Sequence, residues 1–239
     1  MAITECSVDP GAPSVNDQTA AERDPLKRYK SYPPEHFSRR RSYLYLFIQR
    51  FICSPILIVT RRPKIFGRHN VPKTGPFIVV SNHIDAFDPV LVAHVVDYPI
   101  AFMAKKELFQ TLIFGEMFRM LGIFALDRGH PSSSTLKTAL NVLKSEAKWA
   151  LGLFPEGTRS RTGKLLPFKK GVGGLAVRSG LPVLPIGIHR NAKGRFIVTV
   201  GEPFAGGSDP EAVHAKVHES LVHLSDPGWD RTATADGRK

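Results

Sequence analysis

A histidine and an aspartate separated by four residues form the most informative pair in the sequence. His83 and Asp88 follow residues 79–81 (VVS), which have the character of the end of a buried strand. The carboxyl end of a strand is where α/β enzymes place catalytic groups. If the first turn after the strand is irregular, Asp88 reaches back to the imidazole, fixes its tautomer and stabilises its protonated form. The other ring nitrogen can then take a proton as a general base.

Three other peptides add weight to this pair. By itself the pattern His-x4-Asp is weak, because a chain with nine histidines and many carboxylates has a fair chance of containing one. The other peptides, each at a predicted strand or strand end, are residues 122–128 (GIFALDR), 154–160 (FPEGTRS) and 181–186 (LPVLPI). Four ordered blocks are far more specific than any one of them.

The peptide FPEGTRS has the composition of a phosphate site. Gly157 follows a predicted strand and lets the backbone approach a ligand closely. Thr158, Arg159 and Ser160 can donate hydrogen bonds to one anion. Arg128, at the end of another predicted strand, could add a second guanidinium to the same phosphate. Two alternatives without a ligand stay open. Glu156 and Arg159 could pair within a turn, and Arg128 could form a surface salt bridge with its neighbour.

Strand-like and helix-like segments alternate through most of the chain. The strand-like segments are residues 77–81, 100–104, 123–126, 152–154, 183–188 and 196–200. Because helix-like stretches separate them, the order predicts parallel crossover connections. We therefore expect a single α/β domain with a mixed, largely parallel sheet flanked by helices. The last helix is expected to begin with Asp209 as its N-cap and Pro210 in its first turn.

An apolar segment with arginines at both ends precedes the predicted domain. Residues 43–59 are mostly apolar or aromatic, and the arginines lie at 39–41 and 61–62. Polar residues and a proline interrupt the segment, and a bilayer span needs about 20 apolar residues, so the sequence does not predict a transmembrane helix. We predict an amphipathic helix or helical hairpin that lies on an anionic membrane surface. The alternative is a helix packed on the domain with solvated arginines at its ends.

Composition limits the class of protein. Lysine and arginine exceed the acidic residues by 12, which predicts attraction to polyanions without identifying them. The two cysteines, Cys6 and Cys53, provide neither a disulfide framework nor a cysteine metal site. The expected organisation is a disordered polar tail (1–35), a membrane-associating helical segment (36–62), an enzymatic domain (63–225) and a second disordered tail (226–239).

Taken together, the four blocks resemble those of the glycerolipid acyltransferases. Their order and spacing are similar to those of the 1-acylglycerol-3-phosphate acyltransferases, and residues 104–108 (AKKEL) also resemble that family. The resemblance extends from about residue 64 to residue 204. It implies transfer of a fatty acyl group from the thioester of coenzyme A or an acyl carrier protein to the free hydroxyl of lysophosphatidic acid, which makes phosphatidic acid.

The resemblance also implies roles for individual residues. His83 would be the general base for the acceptor hydroxyl, Asp88 would orient it, and the acyl group would move in one step. No serine or cysteine stands out as a nucleophile beside a base, which agrees with direct transfer. The residues expected to bind the acceptor phosphate are Arg128, Glu156, Gly157, Thr158, Arg159 and Lys105. Those expected to line an acyl groove are Phe102, Met103, Leu112 and Phe124. Beyond the thioester co-substrate, we expect no cofactor and no metal.

One position departs from the family pattern. Many members carry serine where this chain has Asp85, between the two catalytic positions. The extra carboxylate could stabilise the protonated imidazole or cap the start of the helix. It also allows a metal-binding alternative through His83, Asp85 and Asp88, although no further ligand cluster is evident. His214 and His218, four residues apart on the last helix, are expected to lie on a solvated face.

Alternatives in acceptor and in class stay open. The acceptor could be glycerol-3-phosphate or another lysophospholipid, because each also needs a hydroxyl near a phosphate. A non-enzymatic basic membrane-binding protein would share the charge and the apolar segment. Nucleic-acid binding is not expected, because no aromatic-basic stacking platform is visible. The expected location is the cytoplasmic face of a membrane, as a peripheral or monotopic protein.

Overall fold

A seven-stranded sheet forms the centre of the fold. The computed structural model describes Tyr29, residues 31–126 and residues 133–228. In chain order the strands are β1 (Lys64–Phe66), β2 (Ile78–Ser81), β3 (Ile100–Lys105), β4 (Phe124–Leu126), β5 (Ala150–Leu153), β6 (Val183–Arg190) and β7 (Phe196–Val200). Their order across the sheet is β1-β7-β6-β2-β5-β3-β4. Strands β6, β2, β5, β3 and β4 are parallel to one another, whereas β7 and β1 run in the opposite direction.

Helices cover both faces of this sheet. In chain order they are α1 (Arg39–Ile48), α2 (Ser54–Arg61), α3 (Asp88–Val96), α4 (Leu112–Met120), α5 (Ser133–Leu143), α6 (Gly171–Ser179) and α7 (Pro210–Ser225). Ile78 and Val80 pack into a core with α5, α6 and α7, while Phe77 and Val79 pack into a core with α3. Because successive residues of a strand face opposite sides, this double burial accounts for the continuous apolar run at β2.

The predicted α/β fold with a mixed, largely parallel sheet is confirmed. Every predicted strand is present, with ends that differ by at most two residues. The sequence does not predict β1, because three partly exposed residues are too few to show a pattern. Asp209 caps α7 by accepting from the Glu211 N–H at 2.9 Å. On that helix His218 is exposed and His214 is half-buried, and both rings contact Phe168.

Residues Arg39–Arg61 form one continuous helical stretch, which we call the anchor helix. A five-residue π-helical turn, Gln49–Cys53, joins α1 to α2, and Pro55 lies in the first turn of α2. A π turn of this kind accommodates a local break in the regular hydrogen-bond pattern. The stretch has 23 residues, and an 18-residue window within it has a mean hydropathy of 1.6, so by length and composition it could cross a bilayer. The sequence-based objection to its length is therefore wrong, and so is the helical-hairpin alternative.

The anchor helix packs on the domain by one face and exposes the other. Gln49 Nε2 donates to the Ala93 carbonyl at 3.2 Å, and Arg50 forms an ion pair with Asp97 at 2.8 Å. The exposed face carries large apolar side chains, namely Tyr43, Leu44, Phe47, Phe51, Ile52, Ile56, Ile58 and Val59. The helix is therefore packed on the domain, as the second interpretation from the sequence predicts, and it still presents an apolar surface. Its contact with a membrane stays a prediction.

The N-terminal tail is shorter than predicted. Tyr29 and Tyr32 lie in the segment predicted to be disordered, yet both are buried, as is Phe37. The Tyr32 N–H donates to Thr138 Oγ1 at 3.1 Å, and Phe37 packs edge-on against Trp149. Isolated aromatic residues in a polar sequence give no periodic pattern, although each buries a large apolar area. The domain core therefore includes residues before 63. Of the two predicted tails, residues 1–28, residue 30 and residues 229–239 lie outside the described residues.

His36 makes the attachment of this N-terminal segment sensitive to pH. Its ring stacks on Tyr32 with centroids 4.2 Å apart, and Nε2 lies 2.9 Å from the Arg119 carbonyl oxygen. Burial lowers the pKa of His36 to about 4. In this pH range the unfolded chain binds a proton at His36 and the folded chain does not. The stability that depends on neutral His36 is therefore fully present above about pH 6.5 and is lost as the pH falls towards 4.

Replacing His36 should remove that part of the pH dependence. Between about pH 7.5 and about pH 4.5, we expect the wild type to lose about 1–2 kcal/mol of unfolding free energy more than His36→Gln, after allowance for solvent screening. Urea unfolding at the two pH values measures the difference. Equal losses in the two proteins would contradict the assignment.

Candidate active site

His83 and Asp88 are in direct contact in the turn between β2 and α3, residues 82–88, which we call the catalytic turn. His83 Nδ1 lies 2.9 Å from Asp88 Oδ2. The same oxygen accepts hydrogen bonds from the backbone N–H groups of Ile84 (2.6 Å) and Asp85 (2.8 Å). Asp88 is fully buried, so these three donors stabilise a charge that has no contact with bulk water.

The contact with Asp88 leaves the second ring nitrogen of His83 available. With Nδ1–H donating to the carboxylate, Nε2 is the basic nitrogen. The ring stacks on Phe154 with centroids 4.3 Å apart, which fixes its plane. A cavity of about 600 Å³ opens beside it, lined by the catalytic turn, the ends of β3, β4 and β5, and residues 157–159. His83 can therefore accept a proton from a hydroxyl bound in this cavity.

Contacts from distant parts of the chain hold the backbone around His83. Its N–H donates to Glu156 Oε1 at 2.8 Å, and its carbonyl accepts from the Ser160 N–H at 2.7 Å. The buried Asn82 side chain both donates to the Ile188 carbonyl and accepts from the Ile188 N–H, each at 2.7 Å. Asn82 thus extends the pairing of β2 with β6 through its side chain. The sequence analysis did not identify Asn82 as part of the site. It placed Ser160 among the donors to a phosphate, whereas Ser160 is buried and does not line this cavity.

Glu156 lies in a different place from the one predicted. Besides its bond to the His83 amide, it accepts from the Leu166 N–H at 3.0 Å through Oε2. It is buried and does not line the cavity. Burial raises the pKa of Glu156, and the two amide hydrogen bonds oppose that increase. Its predicted role as a phosphate ligand is therefore wrong, and so is the alternative pair with Arg159. Glu156 instead ties the catalytic turn to the loop that follows β5.

Other residues predicted to bind phosphate surround the cavity. Those that line it are Gly157, Thr158, Arg159 and Lys105. Gly157 has a φ of +66°, and a Cβ at this position would come within 2.9 Å of Lys169 Cε. Glycine tolerates the positive φ and has no Cβ to meet Lys169, so the backbone at this turn can lie close to the cavity. The Arg159 side chain is exposed and forms no ion pair with the residues that the structure describes. Arg128 lies outside the described residues.

The residues predicted to line an acyl groove divide between cavity and core. Met103 lines the cavity. Phe102 and Phe124 are buried in the core, where Phe102 stacks on Phe154, so their predicted roles are wrong. Phe102 and Met103 are neighbours on one strand and must face opposite sides of the sheet. Leu112 begins α4, and its side chain lies outside the described part of the structure.

A second cavity opens from the same wall. It has a volume of about 400 Å³ and shares Met103 and Leu153 with the first cavity. Apolar side chains of α5 and α6 form most of its far side, including Leu136, Val172 and Leu175. The cavity beside His83 contains the charged side chains of Lys105 and Arg159, whereas the adjoining cavity is lined almost entirely by apolar groups.

The carboxylate of Asp85 is bonded within the protein. Oδ2 accepts from Arg190 at 2.6 Å, and Oδ1 accepts from the Phe87 N–H at 3.0 Å in the turn before α3. Among the described residues, no three His, Cys, Asp or Glu side chains are placed to hold a metal ion. The metal-binding alternative through His83, Asp85 and Asp88 has no support in this geometry.

Residues 62–189 match the profile of the Acyltransferase family. This range contains the catalytic turn, the strands that position it and the peptide 154–160. The chain therefore belongs to the acyltransferase family and is an enzyme, which excludes the alternative of a non-enzymatic membrane-binding protein.

Within the family, the chain is similar to 1-acyl-sn-glycerol-3-phosphate acyltransferases. The enzyme of that name from Bacillus subtilis is 31% identical over 148 residues, which are 59% of this chain and 72% of the relative. The chloroplastic enzyme BAT2 of Brassica napus is 30% identical over 79% of this chain and 54% of its own. The crystal structure of the 1-acyl-sn-glycerophosphate (LPA) acyltransferase PlsC from Thermotoga maritima is 32% identical, with a TM-score of 0.63 over 76% of this chain and 78% of that one. This chain spans about half the length of several curated relatives.

Proposed function

We propose that this enzyme transfers a fatty acyl group from an acyl thioester to the free hydroxyl of lysophosphatidic acid and so makes phosphatidic acid. The observation that carries the proposal is the placement of His83, with Nδ1 on the buried Asp88 and Nε2 at a cavity that Arg159 and Lys105 also line. Lysophosphatidic acid combines a hydroxyl, a phosphate and an acyl chain. These three groups match the base, the cations and the adjoining apolar cavity.

The reaction needs one base and no covalent intermediate on the protein. Nε2 of His83 takes the proton of the acceptor hydroxyl while the hydroxyl oxygen attacks the thioester carbonyl carbon. Asp88 stabilises the imidazolium that forms. When the carbon–sulfur bond breaks, the imidazolium returns the proton to the thiolate, so the products are the ester and a free thiol. Cys53, the cysteine among the described residues, lies in the anchor helix and lines neither cavity.

Arg159 and Lys105 are the proposed ligands of the acceptor phosphate, with Thr158 and the Gly157 turn beside them and Arg128 as a further cation. Guanidinium and ammonium groups form strong, charge-assisted hydrogen bonds to phosphate. Binding the phosphate fixes the hydroxyl in relation to Nε2. Positioning of this kind contributes more to the rate than the base does by itself.

The apolar cavity between α5 and α6 is the proposed site of an acyl chain. Met103 and Leu153 form the wall that it shares with the reacting centre, so a chain bound there would begin beside His83. This placement replaces the groove predicted from Phe102 and Phe124. The proposed donor is the thioester of coenzyme A or an acyl carrier protein, and the reaction needs no cofactor or metal. Glycerol-3-phosphate and other lysophospholipids remain the alternative acceptors.

Arg159→Gln should weaken binding of the acceptor phosphate. We expect the KM for lysophosphatidic acid to rise on the order of tenfold, because one charge-assisted hydrogen bond is lost. The KM for the thioester should change little. Monoacylglycerol, which has no phosphate, should be a poor acceptor for the wild type and equally poor for the variant.

Lys170→Gln is the matched control for this test. Lys170 is bonded to Glu211 at 3.0 Å and lies outside the cavity, so its removal should leave both KM values unchanged. Kinetics with the two acceptors, and with glycerol-3-phosphate as a third, measure the effect. A loss in Arg159→Gln that is equal for acceptors with and without phosphate would contradict the proposed phosphate site.

We also propose that the enzyme rests on the cytoplasmic leaflet of a membrane with its cavity facing the lipid. Among the described residues, all but two of the large exposed apolar side chains lie on the anchor helix or in a second group, which comes from the catalytic turn, α4 and Leu108, a residue that lines the cavity. The second group consists of Phe87, Leu108, Ile113, Phe114, Met117 and Met120. Arg61 packs over the Phe87 ring at 4.7 Å, and Arg41 donates to the Arg119 carbonyl at 3.3 Å, so the two apolar groups adjoin at both ends of the helix.

This arrangement favours a peripheral or monotopic enzyme. The anchor helix packs against α3, and the first turn of α3 borders the cavity through Pro89. The exposed face of the anchor helix and the cavity can therefore meet one membrane surface. Apolar side chains flanked by arginines suit the interface of an anionic leaflet. A lipid acceptor could then enter the cavity from the bilayer.

Phe47→Ser with Phe51→Ser should weaken binding to vesicles that contain anionic lipid. The two rings are 5.1 Å apart and exposed, and their loss should lower the partition coefficient about 100-fold. Val222→Ser is the control, because Val222 is an exposed apolar residue on α7. Cosedimentation measures the partition. Equal binding by the double variant and the control would show that the anchor helix does not contact the membrane.

A further inference from the structure

A charged pair ties the catalytic turn to the hairpin formed by β6 and β7. Arg190, the last residue of β6, donates from Nη2 to Asp85 Oδ2 at 2.6 Å. The guanidinium also donates from Nη1 to the Gly194 carbonyl at 3.3 Å and lies 4.0 Å from the centre of the Phe196 ring. The side chains of Arg190 and Asp85 are 39% and 21% exposed, so the pair is partly shielded from solvent.

Asp85 lies at the centre of the hydrogen bonds that shape the catalytic turn. Its backbone N–H donates to Asp88 Oδ2, and its carbonyl accepts from the Asp88 N–H at 3.3 Å. Its side chain accepts from the Phe87 N–H. A movement of Asp85 would therefore displace one of the three donors that hold the Asp88 carboxylate. The position of His83 depends on that carboxylate.

We infer that Arg190 is a positioning residue for the His83–Asp88 pair. Arg190 holds Asp85 in place and neutralises its negative charge. Without Arg190, the negative charge of Asp85 would be uncompensated, two positions along the chain from His83. Nearby negative charge stabilises an imidazolium and so keeps a general base protonated. The pair with Arg190 allows Asp85 to brace the turn without that electrostatic effect. The inference rests on the proposed function for its kinetic test, but not for the titration test described below.

The other charged groups around His83 stay constant in the proposed comparison. They are Asp88 on α3, Glu156 after β5, and Lys105 and Arg159, which line the same cavity. Their effects on His83 are therefore present in every variant and cancel in the differences. Only the charges of Asp85 and Arg190 are changed.

Removing the two charges one at a time should shift the pH profile in opposite directions. In Arg190→Gln, the unpaired carboxylate stabilises the imidazolium, so the acid limb of kcat/KM moves to higher pH by a few tenths of a unit, roughly the effect of one partly screened charge. In Asp85→Asn, Arg190 is still held by Gly194 and Phe196. Its unpaired cation destabilises the imidazolium, and the limb moves to lower pH by a similar amount.

The double variant separates charge from position. With both charges absent, the acid limb should return to its wild-type position. Its kcat should nevertheless stay lower than that of the wild type, by roughly threefold to tenfold, because the turn is no longer braced and small misplacements of catalytic groups are costly. Lys193→Gln removes a cation from the same hairpin away from Asp85, and it should leave both limb and kcat unchanged.

Nuclear magnetic resonance titration of the His83 ring measures the same shift without substrate. His83→Gln identifies the signal, and the titration midpoint should rise in Arg190→Gln, fall in Asp85→Asn and return in the double variant. Shifts in the same direction, or none, would overturn the inference. If the midpoints move as stated but the wild type acylates no acceptor, the proposed function fails and the inference about Arg190 stands. If the wild type is active and neither limb nor midpoint moves, only the inference fails.

Discussion

His83→Ala is expected to lower kcat for acyl transfer by about 10²–10⁴-fold while the protein stays folded. The variant removes the base but keeps the backbone contacts of residue 83 with Glu156 and Ser160, because both use the main chain. The imidazole borders an open cavity, so its loss leaves little buried void. The KM for lysophosphatidic acid should change little, because the proposed phosphate ligands are untouched.

Thiol release from the acyl thioester measures the rate, and urea unfolding checks the fold. His223→Ala is the control, because His223 is exposed on α7 and does not line the catalytic cavity. Its rate should equal that of the wild type. A folded His83→Ala protein that keeps a tenth or more of wild-type turnover would exclude His83 as the base.

Asp88→Asn should produce the second largest loss, about 10²–10³-fold in kcat. An asparagine oxygen can replace Oδ2 and still accept from His83 and from the two backbone amides. Its NH₂ group would then take the place of Oδ1, which has no hydrogen-bond partner among the described residues. The shape of the turn is therefore kept, and only the charge that stabilises the imidazolium is removed.

The combined variant His83→Ala with Asp88→Asn tests whether the two residues act as one unit. Because Asp88 is proposed to act only through His83, the double variant should be no slower than His83→Ala alone. A further loss of tenfold or more in the double variant would give Asp88 a second role in the reaction. An Asp88→Asn enzyme as fast as the wild type would remove the carboxylate from the mechanism.

Local patterns in the sequence predict a large part of the fold and the centre of the site. The strands are short apolar runs buried on both faces, and such runs are visible without knowledge of the partner strands. His83 and Asp88 are five residues apart, so their contact depends on one turn. The helix that begins at Pro210 is likewise marked by its own cap and first-turn proline.

Contacts between distant residues account for what the sequence analysis missed. Glu156 reaches the His83 amide across 73 residues, and Asn82 pairs with Ile188 across 106. The sequence around Glu156 does not show that both of its carboxylate oxygens accept hydrogen bonds from backbone amides. The partner of Asp85 is equally hidden, because Arg190 is 105 residues away. Long-range pairing of this kind follows from strand order, which a single sequence does not define.

The acyl groove shows an error of a different kind. Phe102 and Met103 were both expected to face the acyl chain, although the alternation of side chains along β3 allows only one of them to do so. The alternation of side chains along a strand is itself sufficient to place these two residues on opposite faces of β3. The buried Tyr29 and Tyr32, by contrast, have no periodic neighbours, and nothing in the sequence distinguishes them from the polar tail.

The most direct test of the account is acyl transfer by the purified enzyme in detergent, with an acyl-coenzyme A or acyl carrier protein thioester and with lysophosphatidic acid, glycerol-3-phosphate or no acceptor. Thiol release and lipid products are measured together, for the wild type and for His83→Ala. The account predicts equal amounts of thiol and phosphatidic acid, formed fastest with lysophosphatidic acid and only when His83 is present. Thiol release that does not require the acceptor, or phosphatidic acid formed equally well by His83→Ala, would contradict it.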